Sequence, residues 1–138
     1  MNPRLAYREA AVAGASPVRL VILLYEQAIE DLRRSLAAQK SGDIEARTRE
    51  INHAILVLGH LEATLDKEQG GRVAQNLQTF YQQMRAGLTE AQVRQSPALL
   101  EKQISLLMEV RDAWQEVERS LLPPSVKAEA QSRADWSV

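Results

Sequence analysis

The chain of 138 residues carries 17 basic and 18 acidic side chains, for a formal net charge of −1, and 45% of its residues are hydrophobic. This length suits one compact domain, and the mixed charge provides no basic surface for a phosphate backbone, so we expect no nucleic-acid partner. The absence of cysteine excludes disulfides and thiolate chemistry. The longest apolar run, Leu20 to Tyr25, is far shorter than the ~20 residues of a membrane span, and the first residues contain no signal-like apolar core. These features predict a cytoplasmic protein without membrane insertion.

The first predicted helix runs from about Pro17 to Ser41. The Ser16 side chain can accept a hydrogen bond from the first turn, and Pro17 occupies the first helical position, where a missing N–H is harmless. Gly42 is expected to end the helix. Further apolar residues follow at helical spacing: Ile29, Leu32 and Leu36. The run Leu20 to Tyr25 is apolar on all sides of the helix, so one neighbouring layer cannot cover it.

Three more amphipathic helices are predicted. Asp43 can cap the second, the stretch Asp66 to Gly71 separates it from the third, and Ser96-Pro97 starts a fourth that ends at Pro123-Pro124. The predicted core stripe of the second helix comprises Ile44, Ile51, Ala54, Ile55, Leu58, Leu61 and Leu65. The stripe of the third comprises Val73, Leu77, Phe80, Tyr81, Met84, Leu88 and Ala91. The stripe of the fourth comprises Leu100, Ile104, Leu107, Val110, Trp114, Val117 and Leu121.

This pattern predicts an all-α protein. Short connections between long helices favour antiparallel neighbours, and therefore an up-down four-helix bundle. We expect residues 1–122 to form one domain in which residues 1–15 are an N-terminal capping segment. Residues 123–138 are expected to form a loose C-terminal tail.

The sequence contains little that resembles a catalytic or metal site. Glu50 and His53 have the Glu-x-x-His spacing of metal-binding bundles, but such sites need the motif on two helices, and it occurs once. Because Ile51 is assigned to the core, Glu50 and His53 are expected on the solvent side. Gly70-Gly71 lacks the surroundings of a phosphate-binding loop and is expected to break a helix. We therefore predict neither a cofactor nor a metal, and a protein that is not an enzyme.

Apolar residues outside the predicted core suggest a surface for a partner. On the second helix, Leu56 lies ~160° and Val57 ~100° from Leu58, so both should point out of the core, with Ala63 near Leu56. On the first helix, the residues of a second apolar strip are Leu20, Leu23 and Leu24. Two covers are possible for this strip. One is a partner helix lying in a groove, and the other is the N-terminal segment, through Leu5, Tyr7 and Val12.

Three blocks of the sequence resemble the FliS family of flagellar secretion chaperones. The first is Tyr7 followed by "ASP" and "LVILLYEQAI", the second is "LDKEQGGRVAQNLQTFYQQM", and the third is "RDAWQE". Together they extend over about residues 5 to 119. The second block is the most specific, because it combines Gly-Gly with Asn-Leu and an aromatic pair in a helical frame.

The resemblance implies a small helical bundle that binds the disordered C-terminal segment of flagellin, here called the client. Binding would prevent premature polymerisation, and the complex would be delivered to the flagellar export gate. The resemblance implies that Tyr7 takes part in client binding, either as a direct contact or as a lid that the client displaces. Two other functions share the predicted fold: a bundle adaptor or regulator that binds another amphipathic helix, and a metal-carboxylate enzyme.

Overall fold

The computed structural model describes residues 16–121 and contains four helices. They are α1 (Pro17–Lys40), α2 (Ile44–Ala63), α3 (Lys67–Arg94) and α4 (Pro97–Leu121). The all-α prediction is confirmed. The predicted N-terminal cap and C-terminal tail lie outside the described residues, as do Tyr7 and Val12.

Short polar side chains start all four helices. The starts at Ser16, Asp43 and Ser96 are those that the sequence predicts, whereas α3 begins at Lys67, inside the stretch Asp66 to Gly71 that was expected to separate the second and third helices. The Ser16 hydroxyl accepts from the Arg19 N–H at 3.2 Å, and Asp43 accepts from the Ala46 N–H at 3.0 Å. Asp66 caps α3, and the Ser96 hydroxyl accepts from the Leu99 N–H at 3.2 Å. Each contact satisfies a backbone donor that the helix itself leaves unpaired.

Side-chain pairs establish the antiparallel arrangement. Asp31 contacts His53 and Ser35 bonds to Arg47, so α2 runs back along α1. On the other side of α1, Arg19 near its start pairs with Glu118 near the end of α4. The third helix packs against α2 and α4, which closes the bundle.

The core lies between all four helices. Ile51 and Leu58 on α2, Leu88 on α3 and Leu107 on α4 are each 0% exposed. Gly87 permits a close approach of α3 to α4, because a Cβ at this position would lie 2.6 Å from the side-chain nitrogen of Gln103. The bundle therefore has one continuous apolar interior.

Four residues assigned to the core stripes are exposed instead. They are Ile44 (59% exposed), Val73 (65%), Val117 (41%) and Leu121 (67%). Ile44 and Leu121 are terminal residues of their helices, and Val117 lies in the last turns of α4. Val73 follows a kink at Gly71 that changes the helical phase. Periodicity identifies a helix face, but it does not show whether a neighbouring helix reaches that level.

Candidate partner-binding site

An apolar pocket lies at the end of the bundle where α1 begins; we call it the α1–α3 pocket. Its volume is about 260 Å³, below the ~300–1,000 Å³ of typical small-molecule sites. The lining residues, contributed by α1, α3, α4 and the α2–α3 turn, are Pro17, Val18, Val21, Thr64, Leu65, Asp66, Gly70, Val73, Ala74, Leu77, Tyr81 and Trp114. Its size and apolar lining suit one or two apolar side chains of a partner.

Two tyrosines form and support the deep side of this pocket. The Tyr25 hydroxyl donates a hydrogen bond to the Tyr81 hydroxyl at 2.9 Å, and the ring centroids are 6.2 Å apart. Burial raises the pKa of both hydroxyls, so they stay protonated and able to donate. Because the Tyr81 hydroxyl is bonded inside the core, Tyr81 presents ring surface to the pocket.

The residues of the apolar run Leu20 to Tyr25 on α1 are buried to different extents. Ile22 and Tyr25 are fully buried and Leu24 is 9% exposed, so Leu24 belongs to the core rather than to an outer strip. Leu20 and Leu23 are half-buried. Contacts with both α2 and α4 allow this helix to bury more than one face.

The sequence predicts an outer apolar strip on α2, formed by Leu56, Val57 and Ala63, and the structure contains only part of it. Leu56 is 51% exposed and Ala63 is exposed, as their helical phase predicts. The prediction for Val57 is wrong, because its side chain is 0% exposed. Val57 lies one turn beyond His53, which contacts α1, so it points toward that helix. Because α2 packs against both α1 and α3, it buries a wider arc of its surface than the single core stripe predicted around Leu58.

The prediction that Glu50 and His53 face solvent is also wrong. Glu50 is 8% and His53 5% exposed, and His53 Nδ1 contacts the carboxylate of the fully buried Asp31. Asp31 also accepts a hydrogen bond from the Gln27 side chain at 2.8 Å. Gln27, Asp31 and His53 form a polar seam between α1 and α2. In this seam the Asp31 carboxylate is paired with two buried side chains, whereas His53 Nε2 has no hydrogen-bond partner among the described residues.

Neither a metal site nor a membrane span occurs in the described part of the chain. Among residues 16–121, no three histidine, cysteine, aspartate or glutamate side chains are grouped to hold a metal ion. No helix in the same range combines the length and apolarity needed to cross a bilayer.

Several pocket residues were not identified from the sequence as partner-binding. Val73, Leu77 and Trp114 were assigned to core stripes, whereas Val18 was not singled out. The pocket forms only when the starts of α1 and α3 meet the end of α4. The available signal was the Gly70-Gly71 pair, which was interpreted only as a helix break.

The three sequence blocks lie in a region of the chain that matches a known family. Residues 1–121 match the family described as flagellar protein FliS. This chain belongs to the FliS family. The flagellar secretion chaperone FliSB of Pseudomonas aeruginosa is 37% identical to it over 106 residues, covering 77% of this chain and 84% of that protein. The flagellar secretion chaperone FliS of Salmonella typhimurium is 33% identical over 110 residues, covering 79% of this chain and 82% of that protein.

A third FliS relative supports the same assignment. The flagellar secretion chaperone FliS of Vibrio cholerae is 30% identical over 116 residues, covering 81% of this chain and 85% of that protein. The resemblance inferred from three sequence blocks is confirmed. Membership of the FliS family supports a flagellar export chaperone and implies a non-enzymatic role.

Proposed function

We propose that this FliS-family protein binds the C-terminal segment of flagellin in the cytoplasm, prevents its premature polymerisation and delivers it to the flagellar type III export apparatus. The observation that carries the proposal is the family match over residues 1–121. Three curated FliS-family relatives are flagellar secretion chaperones. Delivery requires a second contact with a component of the export gate, which is part of the same proposal.

The α1–α3 pocket provides a physical basis for capture. An amphipathic client segment can insert apolar side chains into a groove between helices, while its polar face stays in water. A disordered client must offset its ordering cost by burying apolar area. The half-buried Leu20 and Leu23 and the exposed Leu56 and Ala63 provide further apolar area on α1 and α2.

Tyr7 and Val12 are proposed to act at the same end of the bundle. Residues 1–15 join the described chain at Ser16, and Pro17 and Val18 line the pocket. Tyr7 precedes Ser16 by nine residues and Val12 by four, so both are within chain reach of the pocket. They are proposed as direct contacts of the client, with the lid role of Tyr7 as the alternative.

Val73→Asp tests the pocket directly. Val73 lines the pocket but is 65% exposed, so the free protein should tolerate a carboxylate there. In the complex, the same carboxylate would lose water without gaining a partner, a cost of ~1–3 kcal/mol. Isothermal titration with the C-terminal segment of the cognate flagellin should show affinity reduced by about 5- to 150-fold.

Val93→Asp is the matched control for this experiment. Val93 lies on the same helix, is 77% exposed and does not line the pocket. Its substitution should leave the affinity unchanged, and thermal melts should show both variants folded. If Val73→Asp and Val93→Asp bound the client with equal affinity, the client would bind outside the α1–α3 pocket. A wild-type protein that ignores flagellin but binds another amphipathic helix would favour the adaptor or regulatory function.

Leu56→Asp tests the outer strip of α2. Leu56 is 51% exposed, so a carboxylate costs little in the free protein, but it would be desolvated if the client covered this position. We expect weaker flagellin binding in the same titration, with an unchanged melting temperature. An affinity equal to that of wild type would remove Leu56 from the binding surface and leave the pocket as the principal site.

A further inference from the structure

The first turn of α3 is separated from the rest of the helix. Gly71 has φ 54° and ψ −128°. These backbone angles lie outside the helical region, and in practice only glycine adopts them. The preceding turn, residues 67–70, has its own cap, because Asp66 accepts from the Glu68 and Gln69 N–H groups at 3.2 and 3.1 Å. All four residues of this turn are exposed. It is a short, weakly held unit joined to α3 through Gly71.

This turn forms part of the α1–α3 pocket. Asp66 and Gly70 line the pocket before the kink, and Val73 and Ala74 line it after the kink. A Cβ at Gly70 would lie 2.8 Å from the Cβ of Ala74, so the turn lies directly against the helix that follows. The direction of the chain at Gly71 therefore determines where one wall of the pocket stands.

We infer that Gly71 is a positioning residue for client capture: its left-handed conformation holds the 67–70 turn as a wall of the pocket. The inference rests on the proposed function, since it concerns the same binding site. A residue with a Cβ disfavours this conformation. The turn then moves, because all four of its residues are exposed.

Gly71→Ala and Gly42→Ala form a matched pair. Both glycines have positive φ, 54° for Gly71 and 80° for Gly42, and neither added Cβ would meet an atom of residues 16–121 within 4 Å. Each substitution therefore adds backbone strain without a steric clash. Gly42 lies in the turn between α1 and α2 and does not line the pocket. Thermal melts should show both variants folded and destabilised.

Titration with the flagellin C-terminal segment should separate the two variants. We expect Gly71→Ala to weaken binding by about tenfold, equivalent to ~1.4 kcal/mol. Gly42→Ala should bind like wild type. Equal affinities for the two variants would overturn the inference while leaving flagellin binding by the wild-type protein intact.

A second measurement tests the positioning without any client. The chain has two tryptophans, Trp114 in the pocket lining and Trp136. In a Trp136→Phe background, acrylamide quenching reports the access to Trp114 alone. Gly71→Ala should change this quenching and Gly42→Ala should not. Unchanged quenching in the Gly71 variant would overturn the inference whether or not the wild-type protein binds flagellin.

Discussion

Asp31→Ala is expected to lower the free energy of unfolding by about 3–5 kcal/mol, the range for removing one member of a buried polar pair. Asp31 is 0% exposed, and its carboxylate contacts His53 and accepts from Gln27. Its removal leaves these two buried side chains without that acceptor and leaves a space between α1 and α2. Urea denaturation followed by circular dichroism would measure the change.

Glu90→Ala provides the comparison on the protein surface. Glu90 pairs with Arg94 at 3.2 Å, with the two side chains 50% and 68% exposed. Exposed pairs four residues apart on a helix contribute only ~0.3–0.5 kcal/mol, so this variant should unfold almost like wild type. A loss of less than ~1 kcal/mol for Asp31→Ala, which is the scale of ordinary substitutions, would show that the seam is not a stabilising element.

Leu88→Ala is expected to cost about 2–5 kcal/mol, because it leaves a cavity in the bundle interior. Leu88 lies on α3 and is 0% exposed. The core stripe that the sequence predicts for the third helix also includes Leu77. Since Leu77 is only half-buried and lines the α1–α3 pocket, its substitution should cost less.

Leu56→Ala completes this series with a leucine that is 51% exposed. The same isopropyl group is removed in all three variants, so the cost should follow the buried area that is lost. Chemical denaturation should rank the losses as Leu88 greatest, Leu77 intermediate and Leu56 least. A larger loss for Leu77 than for Leu88 would mean that the assigned phase of α3 is wrong.

Local interactions explain why the helix starts could be predicted from the sequence. Ser16, Asp43 and Ser96 each accept a hydrogen bond from the backbone N–H three residues further on, and such contacts need no other part of the fold. The family could be recognised for a similar reason, since its three blocks are continuous stretches of chain. The fold class and chaperone family were therefore accessible without coordinates.

Only part of the candidate site could be predicted from the sequence. The helical phase of Leu56 predicted its exposure correctly, because no other helix among residues 16–121 covers its side of α2 at that level. The same reasoning failed for Val57 and His53, which are covered by packing against α1. Helical phase gives the angle of a side chain about its own axis, and burial also depends on where the other helices stand.

The sequence by itself determined four helices, three of their starts and membership of a chaperone family, because these depend on residues close together along the chain. Only the tertiary structure decided that Asp31 and His53 form a buried pair and that Val18, Val73 and Trp114 line one pocket. Those contacts join residues from different helices. Their formation depends on interhelical distances and on the kink at Gly71, which periodicity along the chain does not specify.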